Sequence, residues 1–436
     1  MTANAKDVTR LGVVTLARMI ASGSLTSSGL VCALLERVDA RDATIKAFTT
    51  IDRMALLDEA KLRDRETPRG PLHGVPLGVK DVIDVRGLPT EMGSPLYKGY
   101  RPRNDSACAA LLRAAGAIIL GKTATCEFAG SAPTQTRNPL AHSRTPGGSS
   151  SGSAAAVADF MIPAALGTQT GGSILRPASF CGVVGFKPTF GAYSRSGIKL
   201  AAESFDTIGV IARSVEDVDS IHCVLANDVS SSVSRGNPRE CRIGICRTHL
   251  WETVSKDVVQ AIDKTIKLLR SCGAQVSEVA TPRFMLDLTP ARATVNAYER
   301  ARGLASEWTA AKSKLSQQMI RTCQQGWAVT YLDYIDAQRL IAASRQQVTT
   351  LFAGCDLLMT PCTPGEAPEG IDYTGDPRLQ EIWSCLHLPT ITLPLQCGSS
   401  GMPIGIQFVA PSFDDRQLLL TAHWILEHRG CDVASE

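Results

Sequence analysis

The sequence predicts a layered α/β protein. Helical and strand-like segments alternate along the chain, and the strand-like ones are short continuous apolar runs, the pattern of strands covered by helices on both faces. The clearest unit is residues 106–115, a helix capped by Asp105 and stopped by Gly116, with the apolar run Ala117-Ile118-Ile119-Leu120 directly after it. Length agrees: 436 residues with 44% hydrophobic content supply a sizeable core for one large or two ordinary domains.

The elements follow from local pattern. Residues 28–39 set Leu30, Leu34 and Val38 on one helical face. Val75-Pro76-Leu77-Gly78-Val79 is an apolar strand ending on Lys80, and Ser153-Ala154-Ala155-Ala156-Val157 is helix-forming. Ser214 opens a helix running to about Asn227, with Asp217 at the fourth position of a capping-box pattern. Polar residues 228–239, with Gly236 and Pro238, predict a long surface connection. Beyond it the expected order is strand 243–246, helix 256–271, strand 275–279 and a mostly helical stretch over 290–350. Strands follow at 356–360, 390–395 and 404–409, the last two joined by a turn at Gly398 or Gly401, and a helix over 414–428 closes the order.

Composition removes several function classes. The 45 basic and 42 acidic residues are interspersed, so the net charge of +3 forms no footprint for a phosphate backbone and no direct nucleic-acid partner is expected. The polar N-terminus and the lack of any apolar run near the roughly 18 residues of a membrane span predict a cytoplasmic protein with no membrane partner. The 14 cysteines are scattered without CxxC pairs, so most read as small reduced core residues, as in Leu30-Val31-Cys32-Ala33-Leu34, rather than as zinc ligands.

Three motif matches carry no chemistry. Gly116-Ala-Ile-Ile-Leu-Gly121-Lys122-Thr123 fits the Walker A spacing, yet its variable positions are apolar and look like a strand rather than a phosphate cradle. Gly148-Ser-Ser150-Ser-Gly152 fits GxSxG, but Ser143-Arg-Thr-Pro146 is not the apolar strand a nucleophile elbow needs. His423 and Glu427-His428 have HxxxEH spacing, which differs from the zinc-protease patterns, so no metal is expected.

The chemistry lies in three side chains. Ser149 and Ser173 sit in Gly/Ser-rich segments, with Lys80 upstream and no histidine near them in sequence except His142. A serine hydroxyl needs a base to become a nucleophile, and a lysine held neutral by burial can serve. Gly171-Gly172 strips two side chains from the approach to Ser173, leaving the backbone N–H groups of Thr170, Gly171, Gly172 and Ser173 as candidate oxyanion donors. Each feature alone has a plain alternative: a strand-end lysine paired with Asp81 or Asp84, a helix-start serine, a Gly-Gly turn. Together they point to acyl transfer without a histidine triad.

These residues resemble the amidase signature family. The segment Gly147-Gly-Ser-Ser-Ser-Gly-Ser-Ala-Ala-Ala-Val-Ala158, the following Gly167-Thr-Gln-Thr-Gly-Gly-Ser173, Pro177-Ala-Ser-Phe-Cys-Gly182 and Gly185-Phe-Lys-Pro188 carry the resemblance. So do the upstream Pro71-Leu-His-Gly-Val-Pro-Leu-Gly-Val-Lys80-Asp, Gly87-Leu-Pro and the late Pro403-Ile-Gly-Ile-Gln-Phe. It covers roughly residues 10–225 and 355–428 of one domain, leaving a variable, substrate-shaping segment at about 240–350. The resemblance implies a central mixed β-sheet sandwiched between α-helices, Ser173 as nucleophile, Ser149 as bridging serine behind a cis Gly148-Ser149 peptide, Lys80 as base and Ser150 in support. It implies an amidohydrolase that cleaves a small carboxamide to a carboxylate and ammonia or an amine, without a cofactor.

The chain also departs from the family pattern. Gln169 stands where Asp is frequent, and Ser151 where Gly is usual. Leu175 replaces a frequent arginine, and Arg176 follows it, an arrangement similar to the malonamidase branch, in which the shifted arginine binds a substrate carboxylate. Arg176 and Gln169 are therefore the substrate-binding candidates, with a structural ion pair as the other reading of Arg176. Trp383 and His387, before Pro389, are candidates to line the pocket. Carbamate- or biuret-type substrates, and the A subunit of a tRNA-dependent amidotransferase, are the alternative functions. The acyl group, the leaving amine and the oligomeric state, a homodimer included, stay open.

Overall fold

The computed structural model describes residues 8–229 and 241–429. Eleven strands form one mixed sheet in the order β1-β3-β2-β4-β6-β5-β10-β11-β9-β7-β8. They are β1 (Phe48–Thr50), β2 (Pro76–Lys80), β3 (Ile118–Thr123), β4 (Ala164–Gln169), β5 (Val184–Lys187) and β6 (Thr207–Ala212). The others are β7 (Arg242–Cys246), β8 (Gln275–Val279), β9 (Leu357–Pro361), β10 (Thr390–Cys397) and β11 (Pro403–Val409). The β3-β2-β4 and β9-β7-β8 groups are parallel, and the strands between them pair antiparallel. Strands β2, β3, β4 and β6 are buried along their whole length, as continuous apolar runs covered by helices require.

The α/β reading holds, and most of its elements appear where local pattern places them. Helices Lys256–Ser271 and Asp415–His428, and strands β7 and β8, match the expected ranges to within a residue. Gly401, at φ +75°, makes the turn between β10 and β11, with Gly398 N donating to Met402 O. The 228–239 connection lies almost wholly outside the described residues.

Two capping expectations change. The helix Ala107–Ala114 is capped by Ser106, whose hydroxyl accepts from Ala109 N, while Asp105 accepts from Arg86 N. Ser214 does cap Val215–Ala226, but Asp217 does not complete the capping box: its Oδ1 accepts from Val14 N, joining the start of another helix. Cys32, expected in the core, faces solvent, because Leu30, Val31 and Leu34 take the buried side of the helix Ser27–Ile45.

The Walker-like lysine has a structural place. Lys122 lies within β3 and is fully buried, with Nζ 2.9 Å from Asp81 Oδ1, 2.8 Å from Thr90 Oγ1 and 3.2 Å from Pro89 O. Asp81 is thereby taken by Lys122 and not by its neighbour Lys80. Breaking a buried pair strands a charge, so Asp81→Asn should cost roughly 3–5 kcal/mol in chemical denaturation. A change within about 0.5 kcal/mol, the range of an ordinary surface substitution, would remove this pair from the account of stability.

A helical layer built from residues 284–352 stands against the β7-β9 end of the sheet through a separate apolar cluster that includes Met285, Leu288, Val295, Ile341, Leu358 and Trp383. Its first helix, Phe284–Gly303, also reaches the loop after β4.

Candidate active site

The site forms where β2 and β4 end side by side. Lys80 is the last residue of β2, and Thr168 is the penultimate residue of its parallel neighbour β4. The helix Ser151–Ala158, built of small residues apart from Val157, packs over these strands. Gly152 lets the start of this helix close on the backbone beside β1 and β3: a Cβ there would collide with Ala47 O and Ala124 N, while its own N–H donates to Ala124 O. Packing of this kind, rather than a nucleophile elbow, accounts for the GxSxG spacing. Just before the helix, the Gly148-Ser149 peptide is cis.

Lys80 and Ser149 meet. Lys80 Nζ is 2.7 Å from Ser149 Oγ, 2.8 Å from Thr168 Oγ1 and 3.3 Å from Thr168 O. Lys80 has no solvent exposure, and among the described residues no carboxylate lies within ion-pair distance of it. Burial pulls its pKa down to about 7, opposed by the nearby Cys126 and Asp206 and helped to a smaller extent by Arg300 and Arg176. Thr168 went unrecognised in the sequence, although it stands in the Gly167-Thr168 motif.

Ser150 ties the two serine segments together. Its N–H donates to Ser173 O at 3.2 Å, and its hydroxyl donates to Thr168 O at 3.3 Å and accepts from Thr168 N at 3.4 Å. Ser173 sits at the wall of a cavity of about 310 Å³, together with Thr170, Gly171 and Gly172. The carbonyls of this loop are held: Gly171 O accepts from Ser384 Oγ, Gly172 O from Arg176 N and Ser173 O from Ser150 N. The N–H groups of residues 170–173 make no hydrogen bond to another described residue. Neighbouring side chains crowd both glycines: a Cβ on Gly171 would lie a tight 3.0 Å from Arg292 Nη2, and one on Gly172 would collide with Gln380 Oε1.

The substrate candidates separate. Gln169 is fully buried and lies away from the cavity wall. Its Oε1 accepts from Ile174 N and Leu175 N, and its Nε2 donates to Ser384 Oγ. Its amide is thus spent on fixing the loop, which replaces the expected substrate contact. Trp383 and His387 are likewise absent from the wall: Trp383 is in the apolar cluster, and His387 stacks on Phe190 with ring centroids 3.8 Å apart. Arg176 does line the cavity. Its Nη2 donates to Gly148 O at 2.6 Å, it forms no ion pair with a described carboxylate, and its Nε and Nη1 are buried without partners.

Other cavity residues come from the segment that local pattern could not interpret, among them Arg292, Asn296, Arg300 and Met319. A larger hollow of about 550 Å³, bordered by Lys46, Thr134 and Lys314, holds none of the serine–lysine constellation. His423, from the third rejected motif, lies 3.3 Å from Glu427 on its own helix.

Comparison with known proteins gives the family and the fold. A family model described as Amidase matches residues 29–419. The chain is similar to the A subunit of the glutamyl-tRNA(Gln) amidotransferase of Roseiflexus castenholzii (strain DSM 13941 / HLO8), at 34% identity across 94% of each chain. Among solved structures it is similar to the native peptide amidase of Stenotrophomonas maltophilia, with a TM-score of 0.84, 30% identity and 96% of each chain covered. It is also similar to a protein from a vestigial complex that bears on the evolutionary origins of an s-triazine catabolic enzyme. There the TM-score is 0.86 and the identity 29%, over 96% of this chain and 99% of that one.

Proposed function

Because this chain belongs to the amidase family, an enzyme family acting on C–N bonds, we propose that it hydrolyses a small carboxamide through an acyl-enzyme on Ser173. The observation that carries the reading is the buried, uncompensated Lys80 Nζ at 2.7 Å from Ser149 Oγ. With a pKa of about 7 the amine is substantially neutral at physiological pH. Its two N–H bonds then point to Thr168 O and Oγ1, and its lone pair faces the Ser149 hydroxyl.

The mechanism follows from that arrangement. Lys80 takes the Ser149 proton, and Ser149 takes that of Ser173 as Ser173 Oγ bonds to the amide carbon. The carbonyl oxygen becomes an oxyanion held by backbone N–H groups from residues 170–173, where one such donor is typically worth ~3 kcal/mol of barrier. As the C–N bond breaks, Ser149 returns the proton to the departing nitrogen and ammonia or an amine leaves. Water, deprotonated by the same relay, attacks the acyl carbon and frees the carboxylate and Ser173. The lack of a described carboxylate partner for Arg176 supports an acidic amide as substrate.

A second reading is favoured by the relatives at 34% identity: the A subunit of a glutamyl-tRNA(Gln) amidotransferase, which would run the same acyl chemistry on an amide and pass the ammonia to a partner protein. Partner dependence separates the two. The purified chain alone should release ammonia from at least one member of a panel of malonamate, biuret, glutamine and neutral aliphatic and aromatic amides. Release that occurs only once a partner protein is added would establish the second reading instead. Silence under both conditions would overturn both.

A further inference from the structure

The helix Phe284–Gly303 presents Arg292, Asn296 and Arg300 at i, i+4 and i+8, and all three line the Ser173 cavity. Each is short of a partner in a different way. Arg292 donates from Nη1 to Glu381 Oε1 at 2.5 Å, leaving its Nε buried and unpartnered and its Nη2 beside Gly171. Asn296 Oδ1 is buried with nothing to accept from. Arg300, 6% exposed, donates from Nη1 to the backbone oxygen of Phe128 at 3.0 Å and has no described carboxylate within ion-pair distance.

The wall is therefore short of negative charge. Three guanidiniums, Arg176, Arg292 and Arg300, border the cavity, and Glu381 is the one carboxylate among its lining residues, already bound to Arg292. A buried guanidinium stays charged, and leaving it without a counter-ion is costly, so sites of this kind persist where a ligand supplies the missing charge. A cavity of about 310 Å³ admits a small molecule rather than a polymer.

We propose that Arg292, Asn296 and Arg300 form a specificity row that reads an anionic group and an N–H donor on the substrate. The substrate class is then a small amide or ureide bearing a carboxylate. Arg300 takes the carboxylate, Asn296 Oδ1 accepts a substrate N–H, and the Arg292–Glu381 pair holds the row against the Gly171-Gly172 loop. This row belongs to the middle of the chain and is separate from Arg176, which follows the nucleophile. The proposal rests on Ser173 acting on an amide in this cavity, yet its binding arm can be tested without turnover.

The probes are succinate and glutarate against their dimethyl esters, bound to Ser173→Ala and to Ser173→Ala/Arg300→Gln by calorimetry. The diacids should bind and the diesters should not, and Arg300→Gln should weaken diacid binding by ~10–100-fold, the size of a lost charge-assisted hydrogen bond. Arg300→Lys should recover part of that loss. Asn296→Leu, which leaves the Phe128 contact intact, should weaken binding of succinamate, the probe that carries an N–H donor, to Ser173→Ala, and it covers the case in which Arg300→Gln does not fold. In active enzyme, the preference for succinamate over butyramide should fall by the same factor in Arg300→Gln. Equal binding of diacid and diester, diacid binding unchanged by Arg300→Gln, or succinamate binding unchanged by Asn296→Leu would overturn the row. Diacid binding with no amide turned over would leave the row standing and remove the hydrolase reading. Turnover without preference for the acid would do the reverse.

Discussion

Ser173→Ala should lose at least ~10⁴-fold in the rate of ammonia release, the scale seen when a nucleophile that works as part of a relay is removed. The variant should keep its fold. The substitution deletes only Oγ, and the contact that joins this loop to the Ser149-Ser150 segment is made by the Ser173 backbone oxygen accepting from Ser150 N. An unchanged denaturation midpoint together with lost turnover is the expected pair of results. Substantial residual activity in a folded Ser173→Ala protein would move the nucleophile elsewhere, with Ser149 the next hydroxyl to test.

Lys80→Met should be nearly as damaging, by ~10³–10⁴-fold, because without a base the Ser149 hydroxyl has nowhere to send its proton. The wild-type pH profile tests the same group without a substitution. Only the neutral amine can accept a proton, and burial places its pKa at about 7. Turnover should therefore climb tenfold per pH unit well below 7 and level off above it, with a neutral amide as substrate so that the substrate's own charge does not change. Lys80→Met should lose that acid limb. A wild-type profile that is flat from pH 5 to 8 would mean that Lys80 does not act as a proton acceptor.

Much of the fold was legible because its signals are local. The apolar runs of β2 and β3, the capping serine Ser214 and the turn at Gly401 depend on neighbours in sequence, and they appear where pattern puts them. The failures were also local in cause. Asp105 and Ser106 are both good capping residues one position apart, and only the backbone decides between them. Cys32 sits in an apolar run, and only packing decides which side of the helix that run buries.

The site shows the same division. The order of the candidates Lys80, Ser149, Ser150 and the Thr170–Ser173 loop along the chain could be read directly, because the serines stand in Gly/Ser-rich segments and Lys80 ends an apolar run. Gln169 misled, since a polar residue near a candidate nucleophile looks the same in sequence whether it faces substrate or caps the backbone; here it accepts from Ile174 N and Leu175 N.

By itself, then, the sequence determined the α/β class, part of the strand and helix order and the candidate serine and lysine residues. Tertiary structure decided that Asp81 goes to Lys122 and leaves Lys80 unpaired, that Thr168 orients the amine, and that Arg292, Asn296 and Arg300 reach the cavity from more than a hundred residues away. The physical reason is that desolvation and charge pairing depend on which groups share a volume from which water is excluded, and chain proximity does not specify that volume.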